Sequence, residues 1–243
     1  MSITSLSVID GVSQGAIQDG SSGGSSGGGG GGVYTPDPIL VMNNDLSGAS
    51  ISSDWDVTTP TDSTITVVSN KVQLHAPAGQ DQRPSLVWNQ NLFGVRPWYW
   101  RYYVKRLTTA NYGTFLSVGF RRTDGQAVIY GALALGTNTK KELWGVSTNG
   151  TNNQYVEIFL DECWVDCFWN ARKLYVRRSS NAENDVPGHN DWTDVVSYNT
   201  HTVQRQMAPA EFFIELNKFS GVTVEATYEI SRLTLTDGGP PNA

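Results

Sequence analysis

The sequence predicts an all-β chain of antiparallel strands, and three observations carry that prediction. Beyond residue 60 the apolar residues recur mostly at every second position, the period of a half-buried strand. Turn signals rich in Gly, Asn, Asp and Pro punctuate these runs at short intervals. No long stretch carries the 3.6-residue period of an amphipathic helix. The composition agrees: only 16% of residues are charged, 11% are aromatic, eight are Trp, and Ser, Thr, Asn and Gly are abundant.

The elements follow in order. Thr64–Val68 is strand-like and ends at the turn signal Ser69-Asn70. Val72, Leu74 and Ala76 then alternate with Lys71, Gln73 and His75, and Pro77-Ala78-Gly79 stops the run. Ser85–Trp88 is a short apolar run. Trp98, Trp100, Tyr102 and Val104 alternate with Tyr99, Arg101, Tyr103 and Lys105. Thr114–Arg121 and Ala127–Leu135 flank Asp124-Gly125, a pair suited to a tight hairpin. Leu143–Ser147 follows, then Val156, Ile158 and Leu160 alternating with Tyr155, Glu157, Phe159 and Asp161. Leu174–Arg178, Val195–Tyr198, Phe212–Leu216, Val222–Ile230 and Leu233–Leu235 complete about a dozen strands, which predicts a sandwich or a barrel.

Ahead of the strands lies a different kind of chain. Residues 20–32 are Gly and Ser only and end in six consecutive glycines. Thirteen such residues behave as flexible coil with a reach of roughly 20 Å. The expected organisation is an N-terminal docking arm at 1–19, a flexible linker at 20–32, a folded domain at 33–236 and a short tail at 237–243. Ile3, Leu6, Val8, Ile9, Val12 and Ile17 are too few for a core, yet more apolar than a solvating tail. They are the expected anchoring residues, ordered by burial against another protein. The arm has no cationic leader and no long apolar run, and nothing later is long enough to span a bilayer. Neither Sec export nor membrane insertion is expected.

Charge narrows the partners. Residues 1–70 hold seven Asp and no Lys or Arg; residues 71–243 hold 17 basic and 16 acidic groups, a net of +1. Such a body lacks the basic footprint of a nucleic-acid binder and suits uncharged partners, sugars or proteins. Cys163 and Cys167 are the only cysteines. On a strand they would stand about 13 Å apart. A disulfide needs Cα atoms within about 7 Å, so both are expected as buried free thiols. Asp54 and Asp56 flank Trp55 and offer calcium two carboxylates, too few to predict a site. No metal and no cofactor is expected.

The run Asp45-Leu46-Ser47-Gly48-Ala49-Ser50-Ile51-Ser52-Ser53-Asp54-Trp55 resembles the opening of many concanavalin A-like jelly-roll domains. The closing run from Gly221 to Leu235 resembles the long return strand of such domains, beside which the N-terminal strand lies. The resemblance covers roughly residues 40–236 and implies a two-sheet jelly-roll sandwich. The superfamily includes lectins, laminin G modules, glycosidases and phage or bacterial appendage domains, so fold alone does not assign function. Its glycosidases carry Glu, Asp and a second Glu on one strand. Here Phe159 stands where the middle Asp is expected and Glu162 is out of step with Glu157 and Asp161. No catalytic residue is therefore assigned, and the chain is not expected to be an enzyme.

Ser179–Asp194 is long, polar and contains Trp192, which makes it the expected contact loop. Trp192, Asn190, Asp191 and His189 are the candidate glycan-binding residues: an indole for a pyranose face, and polar groups for its hydroxyls. Tyr99, Arg101 and Tyr103 form a Tyr/Arg stripe expected at a subunit interface. These readings combine into an expectation of a phage virion protein, a fibre, decoration or tail appendage subunit. It would be assembled in the host cytoplasm and displayed on the outside of the particle as a homo-oligomer, a trimer first. Its arm would bind other virion proteins and its sandwich host-surface glycan or a neighbouring virion protein. The alternatives are a glycoside hydrolase of the same fold and a secreted adhesin.

Overall fold

The computed structural model describes residues 39–43, 46–79, 83–90, 97–108, 113–124, 128–135, 140–147, 152–170, 173–199, 210–218, 222 and 224–238. They form two antiparallel sheets packed face to face, with one short 3₁₀ turn at His189–Asp191. The eight-stranded sheet contains β1 (Ile39–Asn43), β3 (Thr64–Val68), β4 (Lys71–Ala76), β6 (Trp98–Arg106), β11 (Glu162–Trp169), β12 (Lys173–Ser179), β13 (Thr193–Asn199) and β15 (Ala226–Asp237). The seven-stranded sheet contains β2 (Trp55–Thr58), β5 (Ser85–Trp88), β7 (Thr114–Arg122), β8 (Val128–Leu135), β9 (Lys141–Ser147), β10 (Asn152–Ile158) and β14 (Ala210–Lys218). The strand orders are β13-β12-β11-β6-β15-β4-β3 and β10-β9-β8-β7-β14-β5-β2.

Alternation of side chains produces this architecture. In β4, Val72, Leu74 and Ala76 are fully buried while Lys71, Gln73 and His75 keep some exposure. Ser69 and Asn70 both take positive φ, 52° and 63°, between paired Val68 and Lys71. That is the two-residue hairpin turn whose twist matches the strands it joins. The core between the sheets sets aromatic rings among aliphatic side chains. Trp100 of β6 meets Phe120 of β7 at 5.5 Å and Phe212 of β14 at 6.4 Å between ring centroids. Hydrogen bonds also cross from sheet to sheet: Trp100 Nε1 donates to the Val118 carbonyl at 3.0 Å, and Tyr228 Oη to the Thr114 carbonyl at 3.1 Å. They satisfy the polar ends of two fully buried rings, which would otherwise cost about 1–3 kcal/mol each.

The return strand is longer and less regular than its periodicity suggests. Residues 226–237 make one strand, so the two expected runs, Val222–Ile230 and Leu233–Leu235, are joined. The first half of β15 pairs with β4 and its last residues pair with β1, as the resemblance implied. Ser231 pairs with Tyr103 and Thr234 with Arg101 of β6, so two residues, Arg232 and Leu233, stand where β6 has only Tyr102. Arg232 sits in this bulge at φ 56°, a left-handed conformation that is costly for a residue with a Cβ.

A second difference lies at Tyr155–Asp161. The apolar alternation continues through Leu160, but β10 ends at Ile158 and β11 begins at Glu162. The three residues between carry the chain from one sheet to the other, and Phe159 is left 87% exposed. Cys163 and Cys167 lie on the inward face of β11, free and fully buried. Burial pushes the Cys163 thiol up to about 12 and the Cys167 thiol well above its usual value.

Candidate functional site

The outer face of the eight-stranded sheet carries an unusual cluster. On β6, Tyr99, Arg101 and Tyr103 point outward because Trp98, Trp100, Tyr102 and Val104 fill the core. On β11 the same logic turns Trp164, Asp166 and Phe168 outward, opposite Cys163, Val165 and Cys167. In the ladder Asp166 stands between Arg101 of β6 and Arg177 of β12. The carboxylate is 1% exposed. Its Oδ2 accepts from Arg177 Nη2 at 2.9 Å and from Tyr99 Oη at 3.0 Å, with Arg101 Nη2 at 3.8 Å. Desolvation raises its pKa above the ordinary 3.8, against the two guanidiniums and the tyrosine, which pull it down. Asp166 Oδ1 and Arg101 Nε have no hydrogen-bond partner among the described residues.

Trp192 closes this cluster. Its indole lies 4.9 Å from the Arg101 guanidinium and 5.4 Å from that of Arg177. It arrives there because the segment 180–192 runs across the sheet instead of projecting away. Trp164 Nε1 donates to the Ala182 carbonyl at 3.1 Å, and the Trp164 ring meets Tyr103 edge-on at 5.6 Å. Further along, Glu183 forms an ion pair with Lys71 at 2.5 Å and accepts from Ser231 Oγ at 2.7 Å. Arg232, turned by the bulge, donates to Asn184 Oδ1 at 2.7 Å. Asp191 Oδ2 accepts from the Gly188 amide at 2.7 Å and from Asn181 Nδ2 at 3.3 Å, which closes the loop on itself. The segment is thus fixed to β12, β11, β15 and the first residue of β4.

The structure therefore brings together two groups of residues that the sequence kept apart. Trp192 lies against Arg101 of the Tyr99, Arg101 and Tyr103 stripe, and His189, Asn190 and Asp191 directly precede it in the chain. His189, Asn190 and Asp191 are exposed, while Trp192 is half-buried. Tyr99 and Tyr103 are 1% and 5% exposed, covered by neighbours from their own chain, so of the stripe only Arg101 keeps appreciable surface. Asp166 and Arg177 were missed. The signal was present in a lone acid among Trp164, Cys167 and Phe168, which needs a cation on the same face. Ile3, Leu6, Val8, Ile9, Val12 and Ile17, expected to anchor the chain, lie outside the described residues, as do the Gly/Ser tract and Gly125.

The carboxylates considered for hydrolysis are separated. Glu157 on β10 pairs with Lys140 at 2.7 Å, and Glu162 on β11, in the other sheet, pairs with Lys105 at 2.8 Å. Asp161 is held by Arg106 and by Lys141, whose hydrogen bonds and charge outweigh burial and lower its pKa. Among the described residues no three His, Cys, Asp or Glu gather as a metal site. The outer face of the seven-stranded sheet carries a second aromatic cluster of Phe115, Tyr130, Trp144 and Phe213. Its rings are mostly covered, and only Tyr155 at its margin is well exposed, at 61%.

No family model and no curated protein matches the chain. Solved structures do. The CBM2 module of the evolved Dit of Lactobacillus casei BL23 phage J-1 superposes with a TM-score of 0.57 at 10% identity, covering 85% of this chain and 98% of the module. The winged bean acidic lectin, complexed with methyl-α-D-galactose, gives 0.58 at 9% identity over 83% and 99% of the two chains. The Bacillus licheniformis β-glucanase gives 0.56 at 12% identity over 82% and 98%. The two antiparallel sheets, the β1–β15 pairing and these superpositions together establish a concanavalin A-like jelly-roll sandwich.

Proposed function

We propose that this chain is a non-enzymatic phage structural protein that presents a glycan-binding sandwich. The observation that carries the reading is the strapped segment 180–192. It holds a half-buried indole beside exposed His189, Asn190 and Asp191 on a rigid sheet. A fixed aromatic face with adjacent hydrogen-bonding groups is what a pyranose ring requires, and pre-ordering the loop lowers the entropy lost on binding. The phage module and the galactoside-bound lectin among the structural neighbours support the same direction. A retaining glycosidase needs carboxyls about 5–5.5 Å apart. The separate sheets and separate ion pairs of Glu157 and Glu162 support a binding role instead.

In this reading residues 1–19 dock on a neighbouring virion protein and the Gly/Ser tract is the tether. The sandwich then faces outward on the particle as one of several identical copies, in a fibre, decoration or tail appendage. The test is a glycan panel with the full chain and Trp192→Ala. Binding by the parent, lost at least tenfold in the variant with little change in thermal unfolding, supports the site. Retained binding by the variant removes Trp192 from it. Release of reducing ends, abolished by Glu157→Gln or Glu162→Gln, would make the chain a hydrolase.

A further inference from the structure

Resting on the glycan-binding reading above, we infer that the Trp192 platform selects sugars that carry an oxyanion, with a carboxylate as the first candidate. The argument is one of donors and acceptors. A guanidinium offers five N–H donors and no acceptor. The guanidiniums of Arg101 and Arg177 lie against the Trp192 indole, and among the described residues the carboxylate they share is that of Asp166. Within the cluster, Asp166 Oδ2 takes one hydrogen from Arg177 and one from Tyr99. Arg101 lies at 3.8 Å, too far to donate, and its buried Nε has no partner.

Both side chains keep contact with solvent: that of Arg101 is 23% exposed and that of Arg177 28%. Their guanidiniums lie over the ring of the same indole that would meet a sugar, 4.9 and 5.4 Å from its centroid. A neutral pyranose brings hydroxyls, which a pair of guanidiniums binds only modestly. A uronate or a sugar phosphate brings paired oxygens matched to the guanidinium fork. Asp166, buried and anchored, holds both arginines in place and leaves their outer edges for the ligand.

Titration calorimetry of the full chain against matched ligands tests this. The probes are trigalacturonate against galactotriose, which differ at C6, and mannose 6-phosphate against mannose. The expected result is at least tenfold tighter binding of an acidic probe than of its neutral match, weakening as sodium chloride rises from 50 to 500 mM. Preference for trigalacturonate alone assigns a carboxylate; preference for mannose 6-phosphate alone assigns a phosphate and overturns the carboxylate as first candidate. Arg101→Gln and Arg177→Gln should erase the preference. Arg101→Lys and Arg177→Lys, which keep a cation against Asp166, should fold normally and reduce it. Equal, salt-independent binding of neutral and acidic sugars that still depends on Trp192 overturns this inference and leaves the glycan-binding reading intact. Binding of no sugar in the glycan panel or among these probes overturns that reading itself.

Discussion

Removing the Asp166 carboxylate gives a direct energetic test of the outer-face cluster. Asp166→Ala leaves the Tyr99 hydroxyl buried without its acceptor, which costs about 1–3 kcal/mol. Arg101 and Arg177 lose their counter-charge, but each is about a quarter exposed, so water screens them and this loss is at most about 1 kcal/mol. Together the loss is about 3 kcal/mol, which for a domain of this size lowers Tm by roughly 6–12 °C. Asp166→Asn keeps an acceptor for Tyr99 and should cost about 1 kcal/mol. Equilibrium urea unfolding of the parent and both variants reads these values. A change below about 0.5 kcal/mol in Asp166→Ala would mean that the carboxylate does not organise the face. A loss in Asp166→Asn as large as in Asp166→Ala would mean that charge outweighs the Tyr99 hydrogen bond.

Three further outcomes are expected. A Cβ on Gly131 would come within 2.6 Å of Cys167 Sγ, so Gly131→Ala should destabilise by about 1–3 kcal/mol, and Cys167→Ala should recover part of that loss in the double variant, read by thermal unfolding. Burial raises the Glu183 carboxyl, but Lys71, Ser231 and Arg232 outweigh it and hold its pKa below the ordinary 4.5. Its contribution is therefore present above the unfolded value and lost as pH falls through the folded one. Hydrogen exchange in residues 180–188, corrected for intrinsic rates, should speed up on going from pH 6 to pH 3, and Glu183→Gln should remove most of that difference. Cys163 and Cys167 should resist alkylation in the native chain and both be labelled in guanidinium without reductant; a mass two units lower with no labelling would mean a disulfide.

Much of the sandwich is legible in the sequence because many of its strands bury one face more than the other and so alternate, most strictly in β4. Asp45–Trp55 and the closing run identify the jelly roll for the same reason: both are local patterns. Alternation fails where it does not report the backbone. Val156, Ile158 and Leu160 keep period two through the step from one sheet to the other, so the end of β10 is invisible to it. The bulge at Arg232 is hidden because nothing in Ser231-Arg232-Leu233 demands a left-handed residue. The site was legible in its parts and not in its assembly. Trp192 and Arg101 were each chosen for their chemistry, but their meeting depends on β6, β11 and β12 lying side by side. Tyr99 and Asp166 are 67 positions apart in the chain, and only the strand order makes them neighbours.

The central claim is that the strapped Trp192 segment is where glycan binds. The most direct measurement is a nuclear magnetic resonance titration of the isotopically labelled chain with whichever glycan the panel identifies. The account predicts that the Trp192 indole N–H and the Arg101 and Arg177 Nε–H signals shift saturably with one dissociation constant. Signals from Trp144 and Tyr155, on the outer face of the other sheet, should stay in place. Shifts confined to Trp144 and Tyr155, with Trp192 unmoved, would place the glycan on the seven-stranded sheet and contradict the account.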